Sequence, residues 1–302
     1  MRSDRRPLAL VTPLFSLAIV AALAAGCAAS DAGEDDSPLV GEAASSEGVT
    51  WLVSDIDDTI KRTGVRSSRV VVNALGTTNE FAGMSELYRA WRHAPDRARD
   101  ITYLSAAPGP LIHFGRSFLS GAGFPGNASG VEEAVVGGRS ASESAGDFKA
   151  RKLVELYAAA AVKPRTVVLV GDNGEQDMAA YAAFMDHVQR THARTKVYSF
   201  IHHVYETPGK GTPIESPHVP FVSAADLAVR FHAERWIDEP ALARILGEVA
   251  HDSGTGGLAS HVVPSFMECQ GFRAWPTLAG AGPEAIASYV TVKTNIGHLC
   301  RP

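Results

Sequence analysis

Cysteine is scarce in this chain: three in 302 residues, Cys27, Cys269 and Cys300. None stands with histidines at the spacing of a tetrahedral site, which excludes a structural zinc centre. The eleven histidines are scattered, and His202-His203 is the only adjacent pair. Excess positive charge is also lacking, with 28 basic against 33 acidic residues and a formal net charge of −5. The first 26 residues hold three arginines and Asp4, a net of +2, so the remainder sums to −7. An acidic surface of this kind excludes nucleic acid as the natural partner. Beyond residue 26 no apolar run is long enough to span a bilayer. No internal repeat recurs, which excludes a solenoid.

The N-terminus does carry an apolar run. Arg2, Arg5 and Arg6 precede an uncharged stretch from Leu8 to Ala25, closed by Leu23-Ala24-Ala25-Gly26-Cys27. This is the layout of an export signal. Its end resembles a bacterial lipobox, which implies cleavage before Cys27 and lipidation of that residue. The alternative is an uncleaved anchor, since the run approaches the ~20 residues needed to cross a membrane. Either way the remaining chain is expected outside the cytoplasm, in the cell envelope, held to a membrane. There, Cys269 and Cys300 are expected to pair, the alternative being two buried thiols. Residues 28–48 lack apolar periodicity and read as a tether.

After the tether, apolar and β-branched runs alternate with helical patterns. Val49–Ser54, Ile101–Ser105, Thr166–Gly171 and Lys196–His202 read as strands. Helical stripes run through Phe81, Met84, Leu87, Tyr88 and Trp91; Leu111, Ile112, Gly115, Phe118 and Leu119; Leu153, Val154, Leu156 and Tyr157; Met178, Tyr181, Ala182 and Met185; and Leu227, Phe231 and Trp236. Ser223 is placed to cap the last of these. Strand–helix alternation predicts an α/β fold with a parallel sheet, right-handed crossovers and helices on both faces. Residues 120–148, rich in Gly, Ser and Ala, read as a long loop, and 252–264 as a linker.

Ligands in such sheets bind beyond the carboxyl ends of the strands. Asp55, Ser105 and Asp172 fall at that edge. Asp55 and Asp57 lie two apart at the end of the first strand, and two carboxylates so close repel unless a proton or a cation is shared. With Lys149, and with Asp177 five residues after Asp172, the set suits phosphoryl transfer. Magnesium takes oxygen ligands, a carboxylate can attack phosphorus, and a lysine neutralises the phosphoryl oxygens. Asp57-Asp58 could instead be a turn, Lys149 a solvated helix residue, and Asp172 and Asp177 charges at a helix start. Glu175 is a further candidate ligand. His202-His203 reads as structural.

The order Asp-x-Asp-x-Thr, strand-end Ser, Lys, then Gly-Asp-x-x-x-x-Asp resembles the haloacid-dehalogenase-like phosphatase superfamily. Ser54-Asp55-Ile56-Asp57-Asp58-Thr59-Ile60-Lys61, then Thr63-Gly64-Val65, with Tyr103-Leu104-Ser105-Ala106-Ala107-Pro108 and Val170-Gly171-Asp172-Asn173-Gly174-Glu175-Gln176-Asp177, is similar to the actin-patch-associated phosphatidate phosphatase family and its bacterial relatives. The resemblance covers about residues 50–236. It implies a Rossmann-like three-layer fold with a minimal cap. It implies Asp55 as nucleophile and magnesium ligand. Asp57 is implied as general acid and base, its backbone carbonyl also ligating the metal. Thr59 is implied to steady the loop and, with Ser105 and Lys149, to bind phosphate, and Asp172 and Asp177 to complete the metal site. Lys152 is the other candidate lysine. Ala107, Phe148 and Asn173 depart from residues common in relatives, which bears on substrate choice. The implied substrate is phosphatidate, a phospholipid, with a small soluble phosphoester as the alternative. A third reading is a decayed phosphatase fold that only binds an envelope component, against which the complete acidic set argues. The expected organisation is a leader at 1–26, a tether at 27–48, a phosphatase domain at 49–250 and a disulfide-stapled extension at 251–302.

Overall fold

The computed structural model describes residues 48–301, save 68, 69, 96, 97, 208 and 255–257. The leader, Cys27 and nearly all of the tether lie outside the described residues.

Strand β1 (Thr50–Ser54) leads through α1 (Val70–Ala74) and α2 (Met84–His93) to β2 (Arg99–Leu104). Helix α3 (Ile112–Gly121) and β3 (Val135–Val136) follow, then α4 (Ala145–Ala159), β4 (Thr166–Asp172), α5 (Asp177–Thr191) and β5 (Lys196–His202). Strand β6 (Val219–Phe221) and helices α6 (Ala224–Ala233), α7 (Glu239–Gly254), α8 (Ala259–Val262) and α9 (Pro283–Leu299) complete the order. The six strands form one sheet in the order β3-β2-β1-β4-β5-β6. Every pairing is parallel.

The sheet is buried on both faces, so its strands are apolar throughout. Side chains alternate between two cores. Leu52, Val168, Val170 and Phe200 face one side, with α2, α3, α6, α7 and α9. Trp51, Val53, Val167, Leu169 and Ile201 face the other, with Phe148, Leu153 and Tyr157 of α4 and Tyr181, Phe184 and Val188 of α5. The result is the α/β three-layer arrangement read from the sequence. Among the described residues no separate folded insertion stands between the strands, and no helix is long and apolar enough to cross a membrane.

Four differences from the sequence reading have physical causes. The stretch 120–148 contains β3 and the start of α4, because Val135 and Val136 pair with Tyr103 and Leu104 at the sheet edge. Strand β6 is three residues long and pairs with Phe200–His202. Trp236 lies beyond α6, since Arg235 adopts φ 59° and turns the chain, while Ser223 and Asp226 form a capping box at the helix start. Helix α7 runs to Gly254 and α8 occupies 259–262, so the stretch read as a linker is helical at both ends. Tyr289, Val292 and Ile296 of α9 share the core that holds Leu52 and Tyr88. Cys269 and Cys300 form a disulfide with Cα atoms 5.1 Å apart, tying the end of α9 to the segment before it.

Candidate active site

Strand β1 is central, with β2 on one side and β4 on the other. The chain order reverses there, so the carboxyl end of β1 opens onto a crevice. Asp55 follows β1 immediately, its backbone N–H donating to the Val170 carbonyl at 2.8 Å. The next residues fold into a tight turn, with Ile60 and Lys61 N–H groups donating to the Ile56 carbonyl at 3.1 and 2.9 Å. Asp58 takes a left-handed conformation, φ 57°. Its carboxylate accepts from the backbone N–H groups of Thr63, Gly64 and Val65 at 3.1, 2.5 and 2.8 Å, and from the Tyr205 hydroxyl. Gly64 meets this cap at φ 67°, a region that disfavours other residues. Asp58 is therefore the cap that Asp57-Asp58 could have supplied as a turn, while Asp57 is left for the crevice.

The carboxylates converge on one ammonium. Lys149, on α4 and fully buried, donates to Asp55 Oδ1 at 2.7 Å, to Glu175 Oε2 at 3.3 Å and to Asp177 Oδ1. Thr59 Oγ1 donates to Asp55 Oδ2 at 3.1 Å. Asp177 Oδ2 accepts from the Asp172 backbone N–H at 3.1 Å. Only glycine allows this approach, for a Cβ at Gly171 would stand 2.6 Å from that oxygen. Asp172 Oδ1 accepts from the N–H groups of Gly174 and Glu175 at 2.6 and 3.1 Å, which curls the loop and returns Glu175 toward the crevice. Lys152 lies on the outer side of α4, paired with Glu155.

Asp55, Asp172 and Glu175 each present an oxygen within 4.8 Å of the others. Asp172 Oδ2 is buried with no hydrogen-bond partner. Burial, then the charges of Asp177, Glu175 and Asp55, push the Asp172 carboxyl well above the usual range. Burial also raises Asp55, outweighing the Lys149 charge beside it. The Lys149 ammonium is opposed by burial but held strongly protonated by Asp177, Asp55 and Glu175. An all-oxygen donor set with an orphaned carboxylate oxygen fits a hard divalent cation. Asp177 is turned to Lys149 and the Asp172 amide, and Glu175 occupies the third place in the carboxylate group.

Asp57 stands apart from that group. Its Oδ1 accepts from Thr63 Oγ1 at 2.6 Å, and burial raises its carboxyl despite that bond and nearby Lys61. Ser105 follows β2, buried, its Oγ accepting from the Ala107 N–H at 3.2 Å. No hydrogen bond joins it to the carboxylate cluster among the described residues. Asn173 pins the end of β4 by accepting from the Val204 and Tyr205 amides at 2.9 and 3.0 Å. His202 is buried beneath the loop, its ring nitrogens 3.1 Å from the Thr59 carbonyl and 3.3 Å from that of Val222. Its contacts are structural.

Arg66, in the loop after β1, also reaches the site. Its Nε donates to the Gly174 carbonyl at 2.7 Å, with Nη2 on the same oxygen. Arg66 directly follows Thr63-Gly64-Val65, and no residue pattern in the sequence marks it as a site residue. With Val65, Arg139, Ser144, Gly174 and Glu175, Arg66 lines a cavity of about 320 Å³ at the mouth of the site.

An acidic crevice with a buried lysine, at the switch point of an all-parallel α/β sheet, defines the catalytic domain of a phosphoric monoester hydrolase. Residues 50–198 match the family described as phosphatidate phosphatase APP1, catalytic domain. No curated protein and no solved structure matches the chain.

Proposed function

We propose that the chain is a magnesium-dependent phosphatase that hydrolyses a phosphomonoester through a phospho-aspartyl intermediate, with phosphatidate as the substrate. One observation carries the reading: Asp55, ion-paired to buried Lys149, presents an oxygen within 4.8 Å of one from Asp172, a carboxylate whose Oδ2 has no partner. Asp55, Asp172 and Glu175 would hold the cation, with the Asp57 backbone carbonyl. When bound, magnesium would neutralise developing negative charge on the phosphoryl oxygens.

An Asp55 carboxylate oxygen attacks phosphorus, forming the acyl phosphate as the bond to the alkoxide oxygen breaks. Asp57, whose raised carboxyl favours the protonated form, gives its proton to that oxygen. It then takes a proton from water, whose oxygen attacks the phosphorus of the acyl phosphate and restores the Asp55 carboxylate. Lys149 balances charge throughout. Thr59 keeps one Asp55 oxygen in place. The Ser105 hydroxyl orients a phosphoryl oxygen.

Phosphatidate is supported by the family match alone. The soluble-ester reading is favoured by the mouth, where Arg66 and Arg139 present cations rather than an apolar slot. Phosphate release from micellar phosphatidate, compared with release from soluble monoesters, decides between them. In either assay Asp55→Asn abolishes turnover with the fold retained, and activity surviving that change removes the nucleophile. We also propose that the chain is exported and anchored through lipid on Cys27, in the cell envelope. Radiolabelled fatty acid should enter the wild type but not Cys27→Ser, and the variant should leave the membrane fraction.

A further inference from the structure

Beside the catalytic mouth lies a larger cleft of about 580 Å³. Its walls come from three places in the chain. Arg62 and Arg66 belong to the loop after β1, Lys210 to the loop after β5, and Ser260, Ser265 and Phe266 to the segment after α7. Arg66 lines both this cleft and the mouth of the site, so the two cavities share a wall.

The lining contains three cations and no carboxylate, in a chain of net charge −5. The arginines are held in place by backbone oxygens. Arg62 Nε donates to the Glu80 carbonyl at 2.7 Å and Nη1 to the Ser260 carbonyl at 3.2 Å. Those bonds fix the guanidinium without cancelling its charge. Lys210 donates to Glu268 Oε1 at 2.6 Å, which offsets one of the three charges, and the Glu80 carboxylate stands near Arg62. Asn79 also lines the cleft, and its Nδ2 donates to the Arg62 and Asn73 carbonyls at 3.1 and 2.9 Å, bracing the backbone that carries Arg62. The cleft therefore offers cations fixed in place by backbone oxygens.

We propose that this cleft is a second anion subsite, taking a phosphate-class group. The cations bind the anionic oxygens. A neutral diacylglycerol has no use for three cations, so the anion comes from one of two sources. It is a second phosphate on the substrate, or the headgroup of an anionic lipid beside it. Which reaction the subsite serves rests on the phosphatase reading; that it binds phosphate does not.

The test is a titration of the full chain with inorganic phosphate in chelator, read by calorimetry. Without metal the catalytic crevice holds four carboxylates around one lysine and repels phosphate. The expected result is one phosphate per chain. Arg62→Gln with Lys210→Gln weakens it at least tenfold, since a hydrogen bond to a charged group is worth roughly that factor or more. Lys210→Gln alone, an exposed change that leaves the fold alone, weakens it severalfold, and Arg62→Lys with Lys210→Arg restores it. Vesicles of zwitterionic phospholipid, with and without anionic phospholipid, identify the source. Anionic-vesicle binding that falls tenfold in the double glutamine variant assigns a lipid headgroup. Vesicle binding equal in both proteins assigns a second phosphate on the substrate. No phosphate binding in chelator, or binding untouched by either glutamine variant, overturns the subsite. Loss of turnover in Asp55→Asn is scored separately.

Discussion

Replacing Asp172 by Asn should raise the stability of the metal-free protein and remove its response to magnesium. Asp172 Oδ1 caps two amides, which an asparagine oxygen can still do, while Oδ2 has no partner to lose. Two carboxylates, Asp55 and Glu175, offer oxygens within 4.8 Å, where a like-charged pair repels by roughly 3 kcal/mol at an effective dielectric of about 20. Lys149, paired to both neighbours, offsets part of this, leaving a relief of about 2 kcal/mol, or about 4–8 °C in melting temperature for a domain of this size. Magnesium at a hundredfold over its dissociation constant adds about 2.7 kcal/mol to the wild type and nothing to the variant, so the order of stabilities reverses. Burial raises Asp55 and Asp172 in the folded state, so in chelator the wild type loses stability as pH rises and the variant's advantage grows. Thermal melts in chelator and in saturating magnesium read both effects. An Asp172→Asn protein that melts below the wild type in chelator, or gains as much from magnesium, refutes the reasoning.

Lys149→Met strands three carboxylates and should cost about 3–5 kcal/mol of stability along with nearly all activity, whereas Lys152→Ala, at the surface with Glu155, should change neither by denaturant titration and phosphate release. Burial pushes His202 down from 6.5 to about 4, so between those values the unfolded chain binds the extra proton and stability falls as pH falls. The stability difference between wild type and His202→Gln should shrink by about 3 kcal/mol on acidification through that window, and a pH-independent difference would contradict this. Cys269→Ser opens a loop spanning 31 residues and should cost about 3–4 kcal/mol in the chain-entropy picture, measured by urea unfolding of oxidised proteins.

Asp55 and Asp172 are legible in the sequence because each closes an apolar strand. Val53-Ser54-Asp55 and Val170-Gly171-Asp172 change from β-branched to acidic within a residue or two, and a parallel sheet can only gather such ends at one edge. What the sequence hid was direction. Asp177 and Glu175 are both acidic and two apart, and only the curl imposed by the Asp172 cap turns one toward the lysine and the Asp172 amide, the other toward the carboxylate group. Lys149 is 94 residues from Asp55, a separation that no local pattern encodes. Strands of two and three residues such as β3 and β6 carry too few positions for alternation to register. Helix α9 mixes Thr, Gly and Ala with its apolar positions, so its buried face at Tyr289, Val292 and Ile296 does not stand out.

The disulfide reaches further than the helix it holds. Cys269 adjoins Glu268, whose backbone N–H donates to the Val204 carbonyl at 2.7 Å and whose carboxylate fixes Lys210. Material folded in a reducing cytosol would therefore keep its buried carboxylate cluster but present a slackened flank beside it. Two preparations with identical sequence and equal rates on a small ester could then differ on a bulky one, according to the compartment in which each was made.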